Sequence, residues 1–256
     1  MEMRMRCMPK LSYKSAAALL LPLSLLFLCA RGANAGSFEV NPIRIDMSAG
    51  TRSAALTLKN SGTEAVVVQA SVMAWAQDNG QDAYAATKEV LVTPPIATIP
   101  PGGEQILRLG MRRAPDATNE LSYRVFLQEV PPPPKPGFQG LQVALRVSLP
   151  IFVQPLKGPA KATLVWNLEL QGEDGLRLRL DNKGSGHIQV SEIALHLAGN
   201  EQAIASQSLL AYVLPGQSRT WELKTQSVRL KPTDRLRLKV TTDAGSVDTE
   251  IDLGSR

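Results

Sequence analysis

Two histidines, His187 and His196, and the adjacent acids Glu173 and Asp174 are the first residues to weigh for chemistry. The histidines stand in one segment of strand-like alternation with opposite parity, so their side chains leave opposite faces. No cysteine or acidic cluster joins them as further ligands, and a metal site built on them is not expected. Glu173 and Asp174 lie between Gly172 and Gly175, the setting of a solvated turn. The chain has no Gly-x-Ser-x-Gly, no His-Glu-x-x-His, no phosphate loop and no dinucleotide fingerprint. These residues argue against an enzyme, and no cofactor is expected.

What the sequence does hold is surface for another chain. In Leu141–Val153, residues Leu141, Val143, Leu145, Val147, Leu149 and Ile151 alternate with Gln142, Ala144, Arg146, Ser148 and Pro150. A period of two over this length predicts a strand with one apolar face. Pro150 cannot donate to a ladder, which favours a bend or an edge position. Two readings stay open at this point: a kinked core strand, or an edge strand whose apolar side chains serve a second protein.

The elements around it are of the same kind. Ser37–Met47, Ser53–Leu58, Glu64–Ala76, Glu89–Thr93, Glu104–Gly110 and Leu121–Val130 carry the strand period, with a proline-rich bend from Pro94 to Gly103 and a compact loop over Pro131–Gly140. Gln154–Lys161 holds two prolines and a glycine without apolar pattern and reads as a linker. Strands resume over Thr163–Leu170, Leu176–Asn182, His187–Leu197, Ser208–Val213, Arg219–Lys224, Arg235–Thr241 and Val247–Leu253. No amphipathic helix is expected. The fold class is all-β, as two sandwiches.

Residues 1–35 read as an export signal: Arg4, Arg6, Lys10 and Lys14, then the apolar run Ala16–Ala30, then Ala33-Asn34-Ala35 as a cleavage site. The apolar run falls short of the ~20 residues of a membrane span, so no membrane insertion is expected after cleavage. The expected domains are 36–156 and 157–256. Both cysteines, Cys7 and Cys29, fall in the signal, which excludes disulfides and thiol ligands from the remainder. Of 28 bases and 23 acids, the signal holds five bases and one acid, so the remainder carries +1. That balance gives no reason to expect nucleic acid as a partner.

Several separated segments together resemble the periplasmic pilus-assembly chaperones, the PapD-like family. They are Asn41-Pro42-Ile43-Arg44, Ala74-Trp75, Thr93-Pro94-Pro95 followed by Ile99-Pro100-Pro101-Gly102 and Arg108-Leu109, Glu129-Val130-Pro131-Pro132, Leu141–Leu145, Phe152-Val153-Gln154-Pro155, and Leu180-Asp181-Asn182 with Gly184. The resemblance implies two immunoglobulin-like β-sandwich domains in an L-shaped arrangement with a cleft between them, located in the periplasm. It implies a pilus or fimbrial subunit as partner, stabilised by a lent edge strand and delivered to an outer-membrane usher. In this sequence the lent residues would be Leu141, Val143, Leu145 and Val147. Arg44 matches the arginine that holds a subunit's terminal carboxylate, a task suited to a forked, permanent cation.

Two positions depart from the family. Pro150 stands where a second basic anchor is usual, which leaves Arg146 and Arg124 as candidates. Gln154 stands where an arginine usually joins an ion network between the domains, with Glu120 and Asp243 near the positions of its acidic partners. These departures resemble the archaic branch, and the short loop Pro131–Gly140 resembles the chaperones of rod-like pili. An edge strand of this kind also makes self-association plausible. The competing reading is a secreted tandem β-sandwich binding module of carbohydrate or adhesin type, which would expose aromatic rings among Trp75, Trp166 and Trp221.

Overall fold

Proline divides the first alternating run. Pro42 has no amide proton for a ladder, and Ser37–Met47 is accordingly two strands, β1 (Phe38–Asn41) and β2 (Ile45–Met47), which join different sheets. They belong to a computed structural model that describes residues 38–133, 136–137, 140–172, 175–225, 230–231 and 234–254. The expected export signal and the Glu173–Asp174 pair lie outside these residues. Among the described residues there is no helix.

The N-terminal sandwich continues with β3 (Ser53–Asn60), β4 (Val66–Asp78), β5 (Gln81–Ala86), β6 (Val90–Thr93), β7 (Ile96–Ile99), β8 (Glu104–Met111), β9 (Leu121–Glu129) and β10 (Arg146–Val153). One sheet runs in the order β1-β3-β8-β6 and the other β2-β10-β9-β4-β5, with β7 also paired to β4. Period-two alternation turns Leu56, Leu58, Leu107 and Leu109 of the first sheet onto Val68, Val125, Leu127 and Ile151 of the second, and all eight are buried.

The second sandwich comprises β11 (Leu164–Gln171), β12 (Gly175–Asn182), β13 (Ile188–Leu197), β14 (Ala203–Val213), β15 (Ser218–Lys224), β16 (Arg235–Thr242) and β17 (Gly245–Gly254). Its ladders are β14-β13-β16-β17 and β11-β12-β15, joined by a short parallel pairing of β11 with the end of β17. Leu176, Leu178, Leu180, Leu236, Leu238 and Val240 share one core, while Arg179, Arg235 and Arg237 face solvent.

The strand pattern expected from the sequence needs four corrections. β5 was not anticipated: all six of its residues are exposed, so no buried alternation marks it. β7 lies inside the stretch expected to be a proline-rich bend; its alternate residues Ala97 and Ile99 are buried beside β4. β14 begins at Ala203, ahead of Ser208, and a bulge opposite Val190–Glu192 breaks its period. The ladder of β10 begins at Arg146 and not at Leu141. Beyond Arg146 the register would set Ala144 against Val130 and Val143 against Pro131. The next N–H that β9 would turn toward β10 after that of Glu129 is residue 131's, and proline has none to give.

Asn182 ties the second sandwich together at the end facing the first. It is fully buried. Its Nδ2 donates to the carbonyls of Gly186, Val213 and Leu214, and its Oδ1 accepts from the N–H groups of Thr163 and Gly184. Gly184 beside it has no room for a side chain, since a Cβ there would overlap the Lys161 carbonyl. Asn182→Ala is expected to lower the unfolding free energy by about 1–3 kcal/mol, the cost of leaving buried backbone groups unpaired. Chemical denaturation measures it, and a change within error would show that water replaces the amide.

Candidate functional site

The open edge of β10 comes first. β9 pairs with β10 over its whole length, from Arg146–Gln128 to Val153–Leu121. On the other side β2 covers only Ile151–Val153. Arg146–Pro150 therefore has no strand partner on that side among the described residues. The phase of the ladder says which groups are left free. Glu129 N–H donates to Leu145 C=O at 2.9 Å, so the odd-numbered residues of β10 bond to β9. Gln154 N–H reaches Met47 C=O at 2.8 Å, consistent with even-numbered residues facing β2. The open edge thus presents the N–H and C=O groups of Arg146 and Ser148, and Pro150 has no N–H to add to them.

The side chains follow the same parity. Leu149, Ile151 and Val153 are buried in the N-terminal core, with Leu145 and Val147 half-buried against it. Leu141 and Val143, ahead of the ladder, are 86 % and 66 % exposed. The four residues expected on the lent strand thus fall into two pairs, one engaged with the core and one free.

The even-numbered face of β10 looks toward the second sandwich. Phe152 is fully buried there, and the His187 ring stacks on it with centroids 3.5 Å apart and planes 5° apart. Trp75 lies 5.9 Å and Tyr212 5.7 Å from the same ring, and Trp75 meets Tyr212 edge-on at 5.3 Å. Gln77 spans the two sandwiches, donating to Tyr212 C=O at 2.9 Å and accepting Leu214 N–H at 3.0 Å.

Arginines flank this aromatic cluster. Arg44 lies 5.0 Å over Phe152, and Arg124 lies 4.0 Å over Trp75 and 5.5 Å over Tyr212. The pKa of the Tyr212 hydroxyl is raised, chiefly by burial, against the opposing pull of Arg124 and Arg44. Arg146 is further along the same face, 4.7 Å over Phe126, whose ring meets Tyr84 edge-on. The structure therefore places Arg44 and Arg124 on neighbouring rings of one aromatic cluster, Phe152 for the first and Trp75 and Tyr212 for the second, and Arg146 near the start of the open edge.

The two clustered arginines differ in what they already hold. Arg44 is paired with Asp46 at 3.1 Å and with Asp243, from the turn between β16 and β17, at 3.0 Å. Burial alone would lower its pKa, but these two carboxylates outweigh burial and raise it. Arg124 has one long hydrogen bond to Ser148 Oγ, 3.4 Å, and its buried Nε has no hydrogen-bond partner. Among the described residues no carboxylate pairs with it.

Asp243 also belongs to a junction network. His187 Nδ1 lies 2.6 Å from Glu120 Oε1, and its Nε2 is 3.5 Å from Asp243 Oδ2. Gln154 Nε2 donates to Glu120 Oε2 at 3.3 Å and its Oε1 accepts Ala160 N–H. His187 was not singled out from the sequence as part of this network. The available signal was the pair Glu120 and Asp243, left without a cation once Gln154 replaced arginine. Arg44, Glu120, Lys161, His187 and Asp243 line a cavity of about 500 Å³ between the sandwiches. Among the described residues no cluster of three potential metal ligands occurs. Trp75 and Trp221 are buried and Trp166 is half-buried against the second core, so none stands out as a sugar platform.

Two β-sandwiches meeting at an aromatic and ionic junction, with one strand edge left open among the described residues, define the fold. Residues 37–158, which include the N-terminal sandwich, match the model of the pili and flagellar-assembly chaperone family, PapD N-terminal domain. The chaperone protein FimB/FhaD of Bordetella pertussis is 28 % identical over 128 residues, 46 % of this chain and 51 % of that protein. The chain spans about half the length of this curated relative. In fold, the chain is similar to the CsuC–CsuE chaperone–tip adhesion subunit complex of Acinetobacter baumannii, an archaic chaperone-usher system, with TM-score 0.64 and 22 % identity over 86 % of this chain and all of that one. It is also similar to the Salmonella enterica SafA pilin–SafB chaperone complex, with TM-score 0.60 and 21 % identity over 87 % and 99 % of the two chains.

Phe152 is the residue on which the junction turns. Phe152→Ala is expected to destabilise the protein by about 3–5 kcal/mol through the cavity it leaves, and to weaken the contact between the sandwiches. Differential scanning calorimetry should then show two partly separated transitions in place of one. A single unshifted transition would mean that the junction closes around the gap.

Proposed function

We propose that the chain is a periplasmic chaperone that binds pilus or fimbrial subunits by lending them an edge strand and delivers them to an outer-membrane usher. Residues 1–35 are the export signal in this reading, with sandwiches at 36–156 and 157–256. The observation that carries it is the open edge Arg146–Pro150, preceded by the exposed Leu141 and Val143 and bordered by a cationic cleft. An incoming strand would pair with Arg146 and Ser148, and its apolar side chains would be met by Leu141 and Val143. Its terminal carboxylate would be received first by Arg124, whose guanidinium has no carboxylate partner among the described residues, with Arg44 joining as it exchanges Asp243 or Asp46 for the newcomer.

Co-expression with a subunit from a chaperone-usher operon, followed by purification from the periplasm, tests this. A stoichiometric small β-rich protein should co-purify. Leu141→Asp with Val143→Asp should abolish recovery, since each side chain buried contributes about 1.5–3 kcal/mol, while the melting temperature of the free protein stays unchanged. Arg124→Glu should weaken capture more than Arg44→Gln. Recovery of glycan without protein, or undiminished capture by the double variant, would sink the reading.

A further inference from the structure

His187 is where the junction carries a group that can change its charge near neutral pH. Its side chain is 5 % exposed. Its backbone N–H and Nδ1 both meet Glu120 Oε1, its ring lies flat on Phe152, and its Nε2 faces Asp243 with no hydrogen-bond partner of its own. The other groups around it are Arg44 and Asp46 at the entry to β2, Tyr212 on β14, and Gln154 after β10, with Lys161 on the wall of the same cavity. With the imidazolium, two cations, Arg44 and His187, answer three carboxylates, Asp46, Glu120 and Asp243. Without it one cation answers three, and an unprotonated Nε2 turns its lone pair toward Asp243.

We propose that His187, itself part of the second sandwich, is a titratable clasp between the two: as the imidazolium it pairs its charge with Glu120 of the first sandwich while Asp243 of its own sandwich faces Nε2, and on losing its proton it keeps only neutral hydrogen bonds to Glu120, so the junction loosens. Burial alone would push the imidazole pKa down; the interactions with Asp243 and Glu120 outweigh both burial and the repulsion of Arg44, and the net direction is up. A raised pKa means that the clasp is fully formed below the ordinary histidine value and is lost as pH rises through the folded value. Asp243 shifts the other way. Burial would raise it, but His187, the Gln189 N–H and Arg44 hold it below the usual carboxylate range. Its contribution is present above that range and is lost as pH falls through its folded value. The clasp therefore holds in a window closed by Asp243 on the acid side and by His187 on the alkaline side. The consequence for capture, that Asp243 then binds Arg44 alone, rests on the chaperone reading, so the test is made on the free protein.

Residues 36–256 contain no cysteine, so spin labels can be placed uniquely at Lys59→Cys on β3 and Lys224→Cys on β15, both exposed. The distance distribution of the labelled protein should be narrow at pH 6 and broaden at pH 8.5. His187→Gln should be broad at both values and His187→Arg narrow at both. In the unlabelled wild type, the His187 ring should titrate by NMR above the ordinary value of about 6.5, and Asp243→Asn should lower that midpoint. Equal distributions at the two pH values, or a midpoint at or below the ordinary value, would overturn the proposal.

Discussion

The structure depends on β10 being buried on both faces at one end and open along one edge at the other. From Leu149 to Val153 every residue is buried. Odd positions fill the N-terminal core, and Phe152 on the opposite face anchors the junction with the second sandwich. A one-residue slip would exchange these two sets and place Phe152 in a core shaped for Ile151, so the register is held from both sides. That rigidity extends to Arg146 through the unbroken ladder with β9. The open edge thus belongs to a strand that is paired with β9 along its whole length.

The electrostatics of the junction follow from the same arrangement. Aromatic rings exclude water while offering their faces to cations, so Arg44 and Arg124 can lie at a partly dry surface without a carboxylate for every donor. Their difference in pairing is then meaningful. Arg44 is held by Asp46 and Asp243 and helps to join the sandwiches, while Arg124 keeps a buried Nε without a partner. An unmet donor of that kind costs free energy in the free protein.

Most of the fold was legible because burial is one-sided and so alternates. Leu176, Leu178 and Leu180 against Arg177, Arg179 and Asp181 could be read directly as one face in and one face out. β5 could not, because an edge strand with every residue exposed leaves no contrast between its faces. The start of β10 was misplaced for a related reason. Alternation continues through Leu141 and Val143, but the partner strand runs out at Glu129 before a run of prolines, and pairing needs both sides. At the site, Arg44 and Arg124 were among the candidates, drawn from the family resemblance and from strand position. His187 was weighed only as a metal ligand. Its role depends on Glu120 and Asp243, 67 and 56 positions away along the chain, which come together only through the junction.

An open strand edge is a standing risk of pairing with the wrong chain, and the details of this one limit that risk. β2 closes it at Ile151, Pro150 removes a donor next to the closure, and Arg146 places a charge near its far end. What is left is two N–H groups and two carbonyls. Each backbone bond contributes only ~0.5–1.5 kcal/mol net, less than the ~1.5–3 kcal/mol from burying one side chain of the size of Leu141 or Val143. A chance strand could take the hydrogen bonds, but they alone would hold it weakly. In the proposed function, a chain that also brings apolar pockets for Leu141 and Val143, and an anion for Arg124, gains what the edge alone does not give. In the proposed function, selectivity thus comes from how little the backbone edge offers alone.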